Sequence, residues 1–298
     1  MSYNVFIDEE QSAPKVGGAE NPRGEEVKMK PYLDIATGSH TSASMGMCIM
    51  EAVAYFVGEK HTDTPQCTSP TIGKAMISFN DQFPFKDNAE RTETLLPLIP
   101  VVVGTQTNFE DEATRAFIAA DFACRVFAPI AFKVVGFLDW AEKLKNLKPV
   151  VDKETATAAA NAANAAAAAY YAGYAAFAAA SANATAKAAA HVANTYYAAT
   201  NTAGYTALGA ANATATNAAT TAATTAGYTA DIANAASAAY YAAKAAPTAT
   251  ASEIHEAIKL AFAEMIKRMS ELGTKKMELS AEAKIEFEAA CHLAKAHD

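Results

Sequence analysis

Residues 155–250 are about half alanine, and most of the remainder is threonine, asparagine, tyrosine, glycine and serine. Alanine has the highest helix propensity because ordering it costs no side-chain entropy. The segment is therefore predicted to be helical. It has too few large apolar side chains for a conventional core, and it is too rich in threonine and asparagine for a membrane span. Its only charges are Lys187, Asp231 and Lys244, if histidine is neutral. Close-packed long helices that meet a partner are expected.

A turn near the middle would fold this segment into a hairpin. Gly204 and Gly209 weaken a helix there, since each costs about 1 kcal/mol relative to alanine. We therefore expect an interruption within residues 201–209 and a long antiparallel helical hairpin over residues 151–250. An eleven-residue spacing aligns a stripe of larger side chains on the first helix, namely Tyr170, Tyr174, Phe177, Val192 and Tyr196.

The stripe needs an apolar counterpart. Residues 251–298 predict two amphipathic C-terminal helices, the first capped by Ser252 and ended by Gly273, the second capped by Ser280. The first presents an apolar face made by Ile254, Ile258, Phe262, Met265 and Met269. We expect that face to dock on the stripe, within one chain or between two copies.

The first half of the chain predicts an arm and a small domain. Residues 1–30 are poor in large apolar side chains and rich in glycine and glutamate, which indicates a flexible acidic arm. Residues 31–150 have the apolar periodicity of a small all-α domain. Its helices are predicted over 41–59 with Ser42 or Ser44 as cap, from Ser69-Pro70, from Asp87, over 108–136 and over 137–147. Pro97 and Pro100 should split the third helix, and Pro129 should bend the fourth.

The charge balance limits the partners. The chain has a net charge of −8, and most of the acidic excess precedes residue 155. Binding to a phosphate backbone needs a basic face, so no nucleic-acid partner is expected. No membrane partner and no secretory signal are indicated. The four cysteines are expected to be free thiols of a protein that is not secreted.

The densest set of reactive side chains lies between His40 and Asp81. Cys48 and Glu51 are three residues apart and share a helical face, and a loop with acidic, imidazole and thiol groups follows. The whole set is His40, Cys48, Glu51, His61, Asp63, Cys67 and Asp81.

Two chemical interpretations fit this set. His40, Cys48, His61 and Cys67 (the zinc quartet) supply the ligand types of a tetrahedral zinc site, although their spacing matches no zinc signature. The sequence indicates no other cofactor. Alternatively, Cys48 is a nucleophile, with His40 or His61 as its base and Glu51 as a further acid–base group.

A structural interpretation stands beside them. A free cysteine is commonly a buried small hydrophobe, as Cys48 would be on a helix face. A buried Glu51 would need a partner. The candidates are Arg91, Arg115 and Arg125.

Short motifs spread over residues 38–145 resemble one family. They are Gly-Met-Cys-Ile-Met-Glu-Ala-Val-Ala-Tyr at 46–55, Gly-Glu at 58–59, His-Thr-Asp-Thr-Pro-Gln-Cys at 61–67, Asn-Asp at 80–81, Leu-Leu-Pro-Leu-Ile-Pro at 95–100, Val-Gly-Thr at 103–105, Ala-Asp at 120–121 and Arg-Val at 125–126. In these motifs the chain resembles an uncharacterised family common in tailed bacteriophages and in prophage-like regions of bacteria.

Members of that family typically join such a domain to an Ala/Tyr/Asp-rich helical tract and a short C-terminal helix. This chain departs from the pattern, because its tract uses threonine and asparagine where relatives often carry aspartate and arginine. The resemblance implies a protein of viral or phage origin, in the host cytoplasm or the virion. It carries over no established activity, but Cys48, Glu51, Asp63 and Cys67 fall on its motifs.

The sequence is interpreted as a phage-type, non-enzymatic structural or interaction protein. It would self-associate through its Ala-rich helices or bind another phage or host protein. One alternative is a metal-binding protein or an enzyme that uses the cluster between His40 and Asp81. Another is an ice-binding protein, because threonine–alanine helices resemble alanine-rich antifreeze helices. Thr195 with Thr206, and Thr214 with Thr225, have the eleven-residue spacing, but the series is not sustained.

Ice binding makes a direct prediction. A flat threonine–alanine face that adsorbs to ice would depress the freezing point of a solution of the full chain below its melting point. Nanolitre osmometry measures this thermal hysteresis. Equal freezing and melting temperatures would exclude the ice-binding interpretation.

Overall fold

The computed structural model describes residues 33–134, 136–180, 251–273, 275 and 277–295. Within these residues the chain is all-α, as predicted, and it contains no β-strand. An isolated bridge pairs Ile35 with Met47. Helices α1 to α10 are, in chain order, Ile49–Phe56, Pro70–Gln82, Asn88–Leu95, Ile99–Val102, Phe109–Phe122, Ala128–Val134, Leu138–Lys145, Lys153–Ala180, Ala251–Ser270 and Ala281–Lys295.

Several predictions fall outside the described residues. They are the acidic arm at 1–30, the interruption within 201–209, the hairpin as a whole and the threonine pairs considered for ice binding. The first part of the Ala-rich segment is described, and it is helical as far as Ala180.

Side-chain caps mark where most helices begin. Ser69, Asp87 and Asn108 each accept a first-turn backbone N–H of α2, α3 or α5, at 3.3, 3.0 and 2.9 Å. Ser280 caps α10 in the same way at 3.1 Å. These are the predicted starting points. Ser252 is an exception, because it lies inside α9 and not at its start.

The predicted helix over residues 41–59 is wrong at its N-terminal side. The structure limits it to α1, and the cap is Cys48, not Ser42 or Ser44. Gly46 has a φ of 132°, a conformation that no helix contains and that favours glycine. The chain therefore enters α1 only after this residue.

Prolines shape the next helices. Pro97 and Pro100 divide the apolar run after α3 into a 3-10 turn, Leu96–Leu98, and the short α4, as predicted. At Pro129 the helical run continues from α5 into α6 through a π-helical segment, Ala123–Phe127. A proline ring clashes with the carbonyl four residues earlier in a regular helix. The wider π turn relieves this conflict.

The apolar face of α9 packs inside the N-terminal domain. Phe262 stacks on Phe79 of α2 with the ring centroids 3.8 Å apart. Ile258, Met265 and Met269 are fully buried in the same core. The prediction that this face docks on the aromatic stripe is therefore wrong, because α2, α4 and α5 already cover it.

A buried ion pair ties α5 to the end of α9 and to the start of α2. Arg115 is fully buried, and its guanidinium donates to the carbonyls of Met269 and Leu272 at 3.0 Å each. It also donates to Glu112 at 2.5 Å. Glu112 in turn accepts the hydroxyl of Ser69 at 2.8 Å. Three separate stretches of chain thus meet at one charged pair.

Buried alanine side chains anchor the first part of α8. They recur at the three- and four-residue spacing of one helix face, which packs against α5 and α7. The small side chains allow these helices to approach closely. The buried residues are Ala156, Ala159, Ala160, Ala163 and Ala166.

Glycines at two loops differ in what surrounds them. Gly104 has a φ of 78°, and a side chain there would overlap the backbone carbonyl of Met277, in the connection between α9 and α10. Gly58 has a φ of 71° but nothing lies within 4 Å of the position a side chain would take.

The pair allows a controlled test. Gly58→Ala introduces left-handed strain only and should cost about 1–2 kcal/mol of unfolding free energy. Gly104→Ala adds a clash with the backbone and should cost about 3 kcal/mol or more. Urea unfolding followed by circular dichroism measures both. Equal losses in the two variants would contradict the close approach of the α9–α10 connection to Gly104.

Candidate functional site

Cys48 and Glu51 close the N-terminus of α1 as a reciprocal pair. The Cys48 sulfur accepts the Glu51 N–H at 3.5 Å, and the Glu51 carboxylate accepts the Cys48 N–H at 2.7 Å. This is a capping box with a thiol in place of the usual hydroxyl. Both side chains are buried, as predicted, with 2% and 1% of their surfaces exposed.

His40 supplies the remaining hydrogen-bond donors to Glu51, and the ring of His61 lies nearby. His40 donates its backbone N–H at 2.6 Å and its ring Nδ1–H at 2.9 Å. The Nε2 atom of His61 lies 3.6 Å from Oε1 of Glu51, the oxygen that accepts the His40 backbone N–H. Burial acts to raise the pKa of Glu51, but the hydrogen bonds from His40 and Cys48 outweigh it and hold the pKa below its usual value of 4.5. The carboxylate is therefore ionised at neutral pH.

The predicted arginine partner of Glu51 is wrong. His40 lies eleven residues earlier in the chain and brings two donors at once, so no arginine is needed. The three candidates are engaged elsewhere, Arg91 with the Asn80 carbonyl, Arg115 with Glu112 and Arg125 with Asp121.

His61 joins the following loop to this centre. Its Nε2–H donates to the carbonyl of His40 at 2.9 Å, since a carbonyl only accepts. Each ring is thus fixed by an acceptor, and the side chains are 16% and 22% exposed. The prediction that Cys48 and Glu51 lie within reach of the loop that begins at His61 is confirmed.

The rest of the predicted cluster lies apart from Glu51. The Cys67 sulfur lies 3.6 Å from the hydroxyl of Thr68. Asp81 accepts the Gly38 N–H at 2.8 Å. Asp63 lines a separate pocket beside α2.

Within the described ranges, one group of three metal-ligand side chains has its ligand atoms within 4.8 Å of one another. It is Glu90, His255 and Glu256, and the zinc quartet does not form such a group. Sequence reasoning missed it because Glu90 and His255 are 165 positions apart. The local signal was an imidazole beside a carboxylate in the first turns of α9.

The thiol of Cys48 is a poor nucleophile in this environment. Burial raises its pKa to about 12, and the negative charge of Glu51 acts in the same direction. The thiolate is the nucleophilic form of cysteine. At neutral pH Cys48 is protonated, so the geometry favours its capping role over a nucleophilic one.

A pocket of about 180 Å³ opens beside the start of α2. It is smaller than the usual small-molecule site of about 300 Å³ or more. The Thr71 N–H at the helix start already donates to Glu112, so it is not free for an anion. The lining comprises Met50, Asp63, Thr64, Pro65, Gln66, Thr68, Ser69, Pro70, Gly73, Lys74, Ile77 and Gln106.

Comparison of the chain with protein-family profiles, curated proteins and solved structures finds no match. In the part of the chain that the structure describes, the helices are too short or too polar to cross a membrane.

Two carboxylates with the same bonding pattern test the role of Glu51. Each oxygen of either carboxylate accepts one backbone N–H. The donors to Glu51 are His40 and Cys48, and the donors to Glu59 are Gln66 and Cys67. A glutamine at either position must point its amide N–H₂ at one of those donors. Glu51→Gln should cost about 2–3 kcal/mol because the site is dry, and Glu59→Gln about 1 kcal/mol because water reaches it.

The pH dependence provides a second readout. A lowered carboxyl pKa contributes stability that is present above pH 4.5 and is lost as the pH falls through the pKa of folded Glu51. The difference in unfolding free energy between wild type and Glu51→Gln should therefore shrink below pH 4.5. A difference that stays constant from pH 7 to pH 3 would contradict the ionised state of Glu51.

Proposed function

We propose that this chain is a non-enzymatic structural or interaction protein that self-associates through its Ala-rich helices. The observation that carries the proposal is the way α8 joins the domain. Five buried alanines fix its first turns in the core, and the helix then continues to Ala180. The sequence beyond keeps the same composition, with very few charges.

The chemistry of self-association follows from that composition. Helices made of alanine, threonine and asparagine approach closely but bury little apolar area. Each Å² of that area contributes only about 25 cal/mol of stabilisation. The aromatic stripe supplies larger contact areas at regular intervals. Since the apolar face of α9 is already covered by the domain, a second copy of the chain is the proposed counterpart.

The centre around Glu51 supports this proposal over the enzyme alternative. Both carboxylate oxygens of Glu51 accept backbone or imidazole donors, and the Cys48 thiol is protonated. These groups hold in place the segment that precedes α1 and the loop that follows α1. The bacteriophage origin and the host or virion location rest on the motif resemblance and belong to the same proposal.

Light scattering after size exclusion tests the proposal on the full chain. Wild type should elute at a multiple of the monomer mass at micromolar concentration. Replacing Tyr170, Tyr174, Phe177 and Tyr196 by glutamine, a good helix former, should shift the mass to that of a monomer. The melting of the domain should be unchanged, because the anchoring alanines are retained.

A matched control separates the tract from the domain surface. Leu138 and Val151 are exposed apolar residues of the domain, at 62% and 65%. Leu138→Gln with Val151→Gln should leave the mass unchanged. A monomeric wild type, or a mass that falls only in this control variant, would overturn the proposal.

A further inference from the structure

Three side chains from two distant parts of the chain converge at the junction of α3 and α9. The Nε2 atom of His255 lies 2.8 Å from Oε1 of Glu90. Glu256 is the next residue on α9, and one ligand atom from each of the three residues lies within 4.8 Å of the others. Imidazole nitrogen and carboxylate oxygen are ligands of Zn²⁺ and similar ions, with metal–ligand distances of about 2.0–2.2 Å.

A lysine side chain already places a positive charge between these carboxylates. The ammonium of Lys259 lies 2.9 Å from Oε1 of Glu90 and 2.6 Å from Oε1 of Glu256. It bridges the two carboxylates and marks where a positive charge is stabilised between them. Glu90 is the better fixed of the two, because its other oxygen accepts the Lys86 N–H at 2.6 Å.

The imidazole makes this more than a pair of acidic residues. His255 is only 8% exposed, and its ring packs against Phe83 with the centroids 4.7 Å apart. A ring held on one face by an aromatic neighbour has its ligand nitrogen fixed towards Glu90. Glu256 is 54% exposed, which gives an ion a path from solvent.

We propose that Glu90, His255 and Glu256 form a binding site for a divalent transition-metal ion such as Zn²⁺, with Lys259 as the built-in competitor for the cation position. On binding, the Lys259 ammonium keeps its proton and swings towards solvent. The His255 proton moves from Nε2 to Nδ1, so that Nε2 offers its lone pair. The ion would replace two salt bridges by coordination bonds and lock α9 onto α3.

Isothermal titration of the full chain with ZnCl₂, after dialysis against a chelator, tests the site. Wild type should bind one ion per chain at this site. Glu256→Gln removes an exposed ligand and leaves the contact between His255 and Glu90, so the fold should persist while the affinity falls about tenfold or more. His255→Gln should lose at least as much. Lys259→Met removes the competitor and should tighten binding several-fold.

Control variants identify binding elsewhere. The double variant His40→Gln with His61→Gln, and Cys291→Ser, change other nitrogen and thiol ligands and should bind Zn²⁺ as wild type does. The proposal is overturned if wild type binds no ion, if Glu256→Gln keeps full affinity, or if Lys259→Met fails to tighten binding. Loss of binding in the double variant alone, with its circular dichroism spectrum and melting transition retained, would assign the ion to the histidines around Glu51 and overturn the proposal.

Discussion

The buried guanidinium of Arg115 is the contact on which the assembly of this domain depends. It reaches the last carbonyls of α9 at Met269 and Leu272, and it pairs with Glu112 on its own helix. A charge taken out of water is costly unless it is paired and hydrogen-bonded, and here all three guanidinium nitrogens donate, with Thr107 as the fourth acceptor. Removing one partner would leave a buried charge uncompensated. The pair therefore couples α9 to the first half of the chain.

Carboxylates perform a common task in this all-α domain. Loops between helices have backbone N–H groups that no sheet can satisfy. Glu51, Glu59, Glu90 and Glu112 each accept an N–H at the start of a helix or in the segment just before one. The acidic character of the first half of the chain thus has a structural use and is not only a surface property.

Local signals in the sequence predicted much of this architecture. Contacts between residues far apart in the chain could not be predicted from them. Ser69, Asp87 and Asn108 cap helices because the cap depends on a few adjacent residues. The partner of Glu51 escaped prediction, since His40 reaches it only through the turn at Gly46. The position of α9 escaped it too, because an apolar helix face does not specify which surface covers it. The candidate metal residues share this difficulty, as they meet only once α9 has packed into the domain.

The two ends of the Ala-rich region return to one core, and this has a consequence for the length of the tract between them. Residues 181–250 leave from α8 and re-enter at α9, both of which are packed into the same domain. The core residues that hold α8 and α9 lie on both sides of this tract in the chain. A change in the number of residues between 181 and 250 would leave those contacts in place, so the tract is an insertion whose length these contacts do not fix.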